Sequence, residues 1–195
     1  MRSNRCRATA AVGTLAALLV GCSGEASDWG YPIPKEFCGV ETTQSTLKPL
    51  MPYGDAVEEF IRADVGVGPD VGKRCYLYID REQYGNAKHV SIRQARETEK
   101  TDAVVEADRG LHYRNLDSVN LGGPVISAAT GDEGALVVMR CKSPNAASAK
   151  YPYLVTEVTF GKWADKPKDP TARRDHLQAF LRDYIPATEA ARCTQ

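Results

Sequence analysis

Hydrophobic positions along the 195-residue chain change period several times, and each change marks an element. From Ala8 to Val20 the residues are apolar apart from Thr9, Thr14 and the neutral Gly13, a run of 13. Residues 23–34, SGEASDWGYPIP, are polar, contain Gly, Ser and Pro and lack periodicity, which predicts a tether. Asp55 and Glu58 have capping-box spacing, and Val57, Phe60 and Ile61 recur at three and four, so the pattern predicts a helix over 55–63. The stretch 64–74, DVGVGPDVGKR, reads as a turn-rich loop.

The period then falls to two. Cys75, Leu77 and Ile79 share one strand face; in the next strand Val90 and Ile92 oppose His89, Ser91 and Arg93. Gly85-Asn86 between them is a hairpin-turn signal. Residues 102–107 read as a short strand and 115–120 as a loop. After Gly122-Gly123, residues 124–129 predict a strand, and 135–141 another, with Val137, Met139 and Cys141 on one face and Arg140 on the other. Residues 153–160 predict a third, with Leu154, Val158 and Phe160 inward and Glu157 and Thr159 outward. Residues 131–134 and 142–150 are the intervening loops. Alternation with one polar face suits an antiparallel sheet covered on one side.

Asp169 followed by Pro170 is a helix start. Leu177, Phe180, Leu181, Tyr184 and Ile185 then fall on one helical stripe, and Pro186 is expected to end it. Strands and helices do not alternate, which argues against a parallel doubly wound sheet. The expected class is α+β: an antiparallel sheet with a C-terminal amphipathic helix packed on one face.

Arg2, Arg5 and Arg7 precede the first apolar run without an acid, and small residues surround its end, the order of an export signal. The run is shorter than the roughly 20 residues a spanning helix needs, and Ser23-Gly24-Glu25 closes it. Leu19-Val20-Gly21-Cys22 resembles the lipobox of bacterial lipoproteins. That resemblance implies cleavage between Gly21 and Cys22 and a diacylglyceryl thioether on the Cys22 sulfur. Acyl chains contribute about 0.8 kcal/mol per buried methylene and stable anchoring takes two signals, which the two chains of such an anchor meet. The chain then divides into a signal peptide (1–21), a tether (22–34) and one α+β domain (35–195). The wider layout is similar to that of small lipoproteins of high-GC Gram-positive bacteria, carried by PKEFCGV after the tether, RCYLYID, VVMRCKS and a C-terminal helix leading to a last cysteine. It implies a lipid-anchored protein of the cell membrane facing the extracytoplasmic side, and it transfers no activity to any residue.

Without residues 1–21 the chain holds 22 Lys plus Arg against 25 Asp plus Glu, a formal charge of −3. That lacks the basic footprint of a nucleic-acid partner. After Cys22 come Cys38, Cys75, Cys141 and Cys193, an even number in an exported chain, where disulfides persist. Four cysteines allow three pairings; joining chain neighbours, Cys38–Cys75 and Cys141–Cys193, is favoured, with Cys193 placed to staple the tail to the end of the 135–141 strand.

Catalytic constellations do not emerge. The sequence has no Gly-x-Ser-x-Gly elbow, Cys-x-x-Cys pair, His-Glu-x-x-His helix or EF-hand spacing. A phosphate loop would need Gly where Val67 stands and Ser or Thr where Arg74 stands. His89, His112 and His176 read as surface or structural residues. Asp80 suits a turn more than an active-site acid, as do Asp132 and Glu133; Glu82 is the remaining candidate acid. No metal or cofactor is implied. Lys162, Trp163, Lys166 and Lys168 read as a solvated loop with Trp163 folded onto the sheet edge, or as one that touches an anionic membrane surface or wall polymer, and Trp29 and Tyr31 suit either a headgroup layer or the domain's edge. The leading reading is a non-catalytic binding or interaction module at the cell surface. Its partners are the membrane, through the diacylglyceryl anchor, and an envelope protein or polymer. A carrier of a lipid or small apolar ligand between sheet and helix is the alternative, and a cell-wall hydrolase a third.

Overall fold

Two β-meanders meet edge to edge in one seven-stranded antiparallel sheet, with its covering layer built from the first and last described segments. The computed structural model describes residues 30–63, 72–80, 88–142, 149–161 and 169–193. A small hairpin, β1 (Glu36–Phe37) and β2 (Val40–Glu41), leads to the one-turn helix α1 (Gln44–Leu47) and a 3-10 turn (Lys48–Leu50). Strands β3 (Val57–Ala63), β4 (Lys73–Ile79) and β5 (Lys88–Glu97) follow, then helix α2 (Ala103–Arg109). Strands β6 (Asp117–Ser118), β7 (Val125–Thr130), β8 (Gly134–Arg140) and β9 (Tyr153–Phe160) precede helix α3 (Pro170–Arg192). The sheet order is β3-β4-β5-β9-β8-β7-β6, so the two meanders join through the β5–β9 ladder.

One sheet face, here the inner face, carries Cys75, Leu77, Ile92, Val137, Met139 and Val158, all buried. Helix α3 lies over it and brings Leu177, Phe180, Leu181, Tyr184 and Ile185, the predicted stripe, each at most 2 % exposed. The Phe180 and Tyr184 rings stack at 5.0 Å. The N-terminal hairpin and α1 pack on α3 and complete this layer. The hairpin turn holds Cys38 and Gly39 at φ 60° and 68°, the paired positive φ that a tight two-residue hairpin turn requires. Both expected disulfides form: Cys38–Cys75, with Cα atoms 5.4 Å apart, and Cys141–Cys193, at 5.0 Å. Tyr31 and Ile33, in the stretch read as tether, are buried in this core.

Several elements differ from the pattern. The helix expected over 55–63 is strand β3, paired residue for residue with β4. It lies at the sheet edge, so Phe60 and Ile61 are exposed on opposite faces and their spacing does not mark a single buried stripe. The strand expected over 102–107 is helix α2. Asp102 caps it by accepting from the Val104 and Val105 amides, and Ala103 and Ala107 supply a narrow buried face. Within the loop expected over 115–120, Asp117 and Ser118 pair with Thr130 and Ala129. Helix α3 runs through Pro186 to Arg192. Pro186 is exposed, so the carbonyl it strands faces water, while Thr188 and Cys193 beyond it are buried. The sheet is also not covered on one side alone: α2 and the loop after it pack Ala103, Ala107 and Tyr113 against Ala129, Leu136 and Val138 on the outer face.

Candidate functional site on the outer sheet face

Where α2 does not reach, the outer face of the β3-β4-β5 half carries rings and guanidinium groups. Antiparallel pairing aligns residues into rows across the strands. One row is Glu58, Tyr78 and His89; the next is Phe60, Tyr76, Ser91 and Thr159; a third is Arg62, Arg74, Arg93 and Glu157. Alternation puts these side chains opposite Cys75, Leu77 and Ile79, so the strand that builds the core also displays the site.

The rings form one connected cluster. Tyr76 and Tyr78 stack at 5.3 Å with planes 9° apart. His89 meets both edge-on, at 5.6 and 5.5 Å, and Phe60 lies 6.4 Å from each tyrosine. Phe60 is 40 % exposed, and Tyr76, Tyr78 and His89 are half-buried. Each ring pair contributes about 0.5–1.5 kcal/mol beyond area burial, which holds the cluster as a preformed surface. Gly161 permits it, because a Cβ there would come within 2.6 Å of the His89 ring.

The arginine row is partly neutralised from below. Arg74 reaches the largely buried Glu157 at 3.9 Å, and Ser91 and Thr159 share a hydroxyl hydrogen bond of 2.6 Å in the row between. Tyr113, 7 % exposed, lies close over Gly134 at the far side. Burial raises its phenol well above the ordinary range, and Glu157 and Glu133 add to the shift. Flat rings beside guanidinium groups can stack a planar or ring-bearing group and pair with an anion at once.

Of the acids singled out in the sequence, Asp80, Asp132 and Glu133 take structural places. Asp80 accepts from the Asp55 and Ala56 amides at 2.7 and 3.0 Å, closing the turn before β3. Asp132 accepts from Arg174 at 2.5 Å and from Asn115 at 2.8 Å, while Glu133 pairs with Arg114 at 2.6 Å. His112 is exposed at φ 55°, and His176 is half-buried on α3. These groups are dispersed and do not converge on one cleft. Among the described residues no group of three His, Cys, Asp or Glu is placed to hold a metal, and no helix is long and apolar enough to cross a membrane. Gly21, Cys22, Trp29, Glu82, Lys162, Trp163, Lys166 and Lys168 lie outside the described residues.

Sequence reasoning placed His89 and Arg93 on a polar face but missed the aromatic cluster beside them. The signal was present in RCYLYID, where Tyr76 and Tyr78 alternate against the buried triplet. Phe60 was hidden by the helical reading of β3. Compared with protein-family models, with curated proteins and with solved structures, the chain matches none.

Proposed function

We propose that this chain is a non-catalytic binding module, held at the outer side of a cell membrane by a diacylglyceryl group on Cys22. Its contact surface is the outer face of β3, β4 and β5, and its partner is an anionic component of the cell envelope. The observation that carries this reading is the half-exposed cluster of Phe60, Tyr76, Tyr78 and His89 beside a row of three arginines. Tyr, Phe and Arg are the side chains enriched in the cores of recognition surfaces, because they give large contact area with few rotors to immobilise. The carrier reading has less support. The layer between the sheet and α3 is filled by Phe180, Leu181, Tyr184 and their sheet partners, each close to fully buried.

A photo-cross-linking residue at position 60 of the full chain, produced in cells, tests the surface. Position 60 is expected to capture an envelope component, as an adduct that differs in mass from a dimer of the chain, whereas the same residue at Val105, exposed on α2, is not. Equal capture at both positions, or none at 60, removes the basis for this surface. The anchor is tested separately with labelled palmitate: the natural chain is expected to take up label and Cys22→Ala to lose it. An unlabelled natural chain overturns the anchor and leaves the surface reading standing.

A further inference from the structure

We propose that β3 is also a pairing edge, joining two copies of this chain antiparallel about Phe60. Strand β3 closes the sheet on one side, and every residue from Glu58 to Ala63 is exposed. Phe60 and Ile61 are 40 % and 54 % exposed, on opposite faces. An edge strand turns the backbone groups of alternate residues away from its neighbour, here over about 23 Å, and among the described residues no strand pairs with that side of β3. Edges meant to stay single are blunted by proline, charged side chains, bulges or shortness. The other edge follows that rule, since β6 has two residues. Strand β3, VEEFIRA, has seven residues without proline or lysine, and its charges, Glu58, Glu59 and Arg62, restrict it to a partner strand of matching order.

The side-chain order of β3 is self-complementary. With Phe60 opposite Phe60 of the second copy, Glu58 falls opposite Arg62 twice, and Val57 falls opposite Ala63. All seven residues are then paired. Two ion pairs flank a ring pair on the outer face, and opposite charges across a ladder favour that register. Moving the centre to Glu59 sets like charges opposite each other, and moving it to Ile61 leaves Glu58 opposite a residue beyond the strand. The pairing carries the outer face of one copy into that of the other, so both aromatic clusters lie on one continuous surface. A single ladder buries little area, which makes the contact weak in dilute solution. Confinement of both copies to one membrane raises their effective concentration. The pairing itself does not depend on what the outer face binds.

Cysteine cross-linking of the full chain in cells tests it. Phe60→Cys is expected to give a covalent dimer on a non-reducing gel, with little from Ile61→Cys and none from Val105→Cys. Adding Glu58→Arg or Arg62→Glu to the Phe60→Cys chain is expected to lower the dimer yield by about tenfold, since two attractive pairs become repulsive. Adding both together restores opposite charges and is expected to restore the yield, which a swap that merely damaged the fold would not do. No dimer from Phe60→Cys, an equal yield from Ile61→Cys, or a double swap that fails to rescue each overturns the pairing.

Discussion

The hydroxyl of Tyr184 on α3 donates to the carbonyl of Phe37 in the N-terminal hairpin at 3.0 Å, across 147 positions of chain. Arg192, two turns further on, reaches the Cys38 carbonyl of the same hairpin. The N-terminal hairpin and α3 thus form one layer, which covers the sheet. Tyr184→Phe keeps the ring that stacks on Phe180 and removes the hydroxyl, which donates to Phe37 and accepts from Gln94 at 3.4 Å. Losing these buried bonds costs about 1–3 kcal/mol. Urea unfolding is expected to show a lower midpoint with an unchanged slope.

Three phenols, Tyr31, Tyr113 and Tyr184, are raised above their ordinary 10.0 by burial. In the unfolded chain they ionise near that value; in the folded chain they hold their protons to higher pH. Their contribution is therefore fully present below about pH 10 and is lost as pH rises above it, by up to about 1.4 kcal/mol per pH unit for each tyrosine. Unfolding midpoints measured from about pH 8 to about pH 11 are expected to fall steeply above the unfolded value. The slope is expected to flatten in a chain carrying Tyr113→Phe and Tyr184→Phe.

Pro186 lies inside α3 and is exposed. It removes one helix hydrogen bond and crowds the carbonyl four residues earlier. Pro186→Ala restores the bond without touching the core. Part of the gain is offset because alanine frees the unfolded chain, so the net stabilisation is about 1–2 kcal/mol. A rise in thermal midpoint checks it.

The Cys141–Cys193 bridge closes a span of 52 residues and the Cys38–Cys75 bridge one of 37. Each contributes about 4 kcal/mol in the chain-entropy account. Replacing Cys141 and Cys193 together by alanine is expected to lower stability by about that amount. Hydrogen exchange at residues beyond Pro186 is expected to rise first, since they lose the tie that holds the last turns on the sheet.

Much of this architecture was legible in the chain because most of it obeys a single period. Strand β4 alternates cleanly and α3 repeats its apolar stripe over two turns, whereas β8 is an apolar run buried on both faces, under α3 and α2. The disulfide pairing followed from chain proximity. Strand β3 was not legible, because an edge strand exposed on both faces has no buried side to impose a period. Helix α2 buries only alanines on a single turn-to-turn spacing, too small a signal to outweigh Val104 and Val105, which read as strand. The aromatic face was half legible. Tyr76 and Tyr78 mark themselves by alternation, but their union with Phe60 and His89 depends on cross-strand register, which local sequence does not encode.

The Cys38–Cys75 bridge also decides how this fold meets a mechanical pull from its N-terminal side. Tension entering at Tyr31 reaches Cys38 after a short stretch and passes through the sulfur atoms directly into β4. The segment from Val40 to Met51 is thereby taken out of the line of force, and the layer that seals the core stays seated while the sheet itself resists.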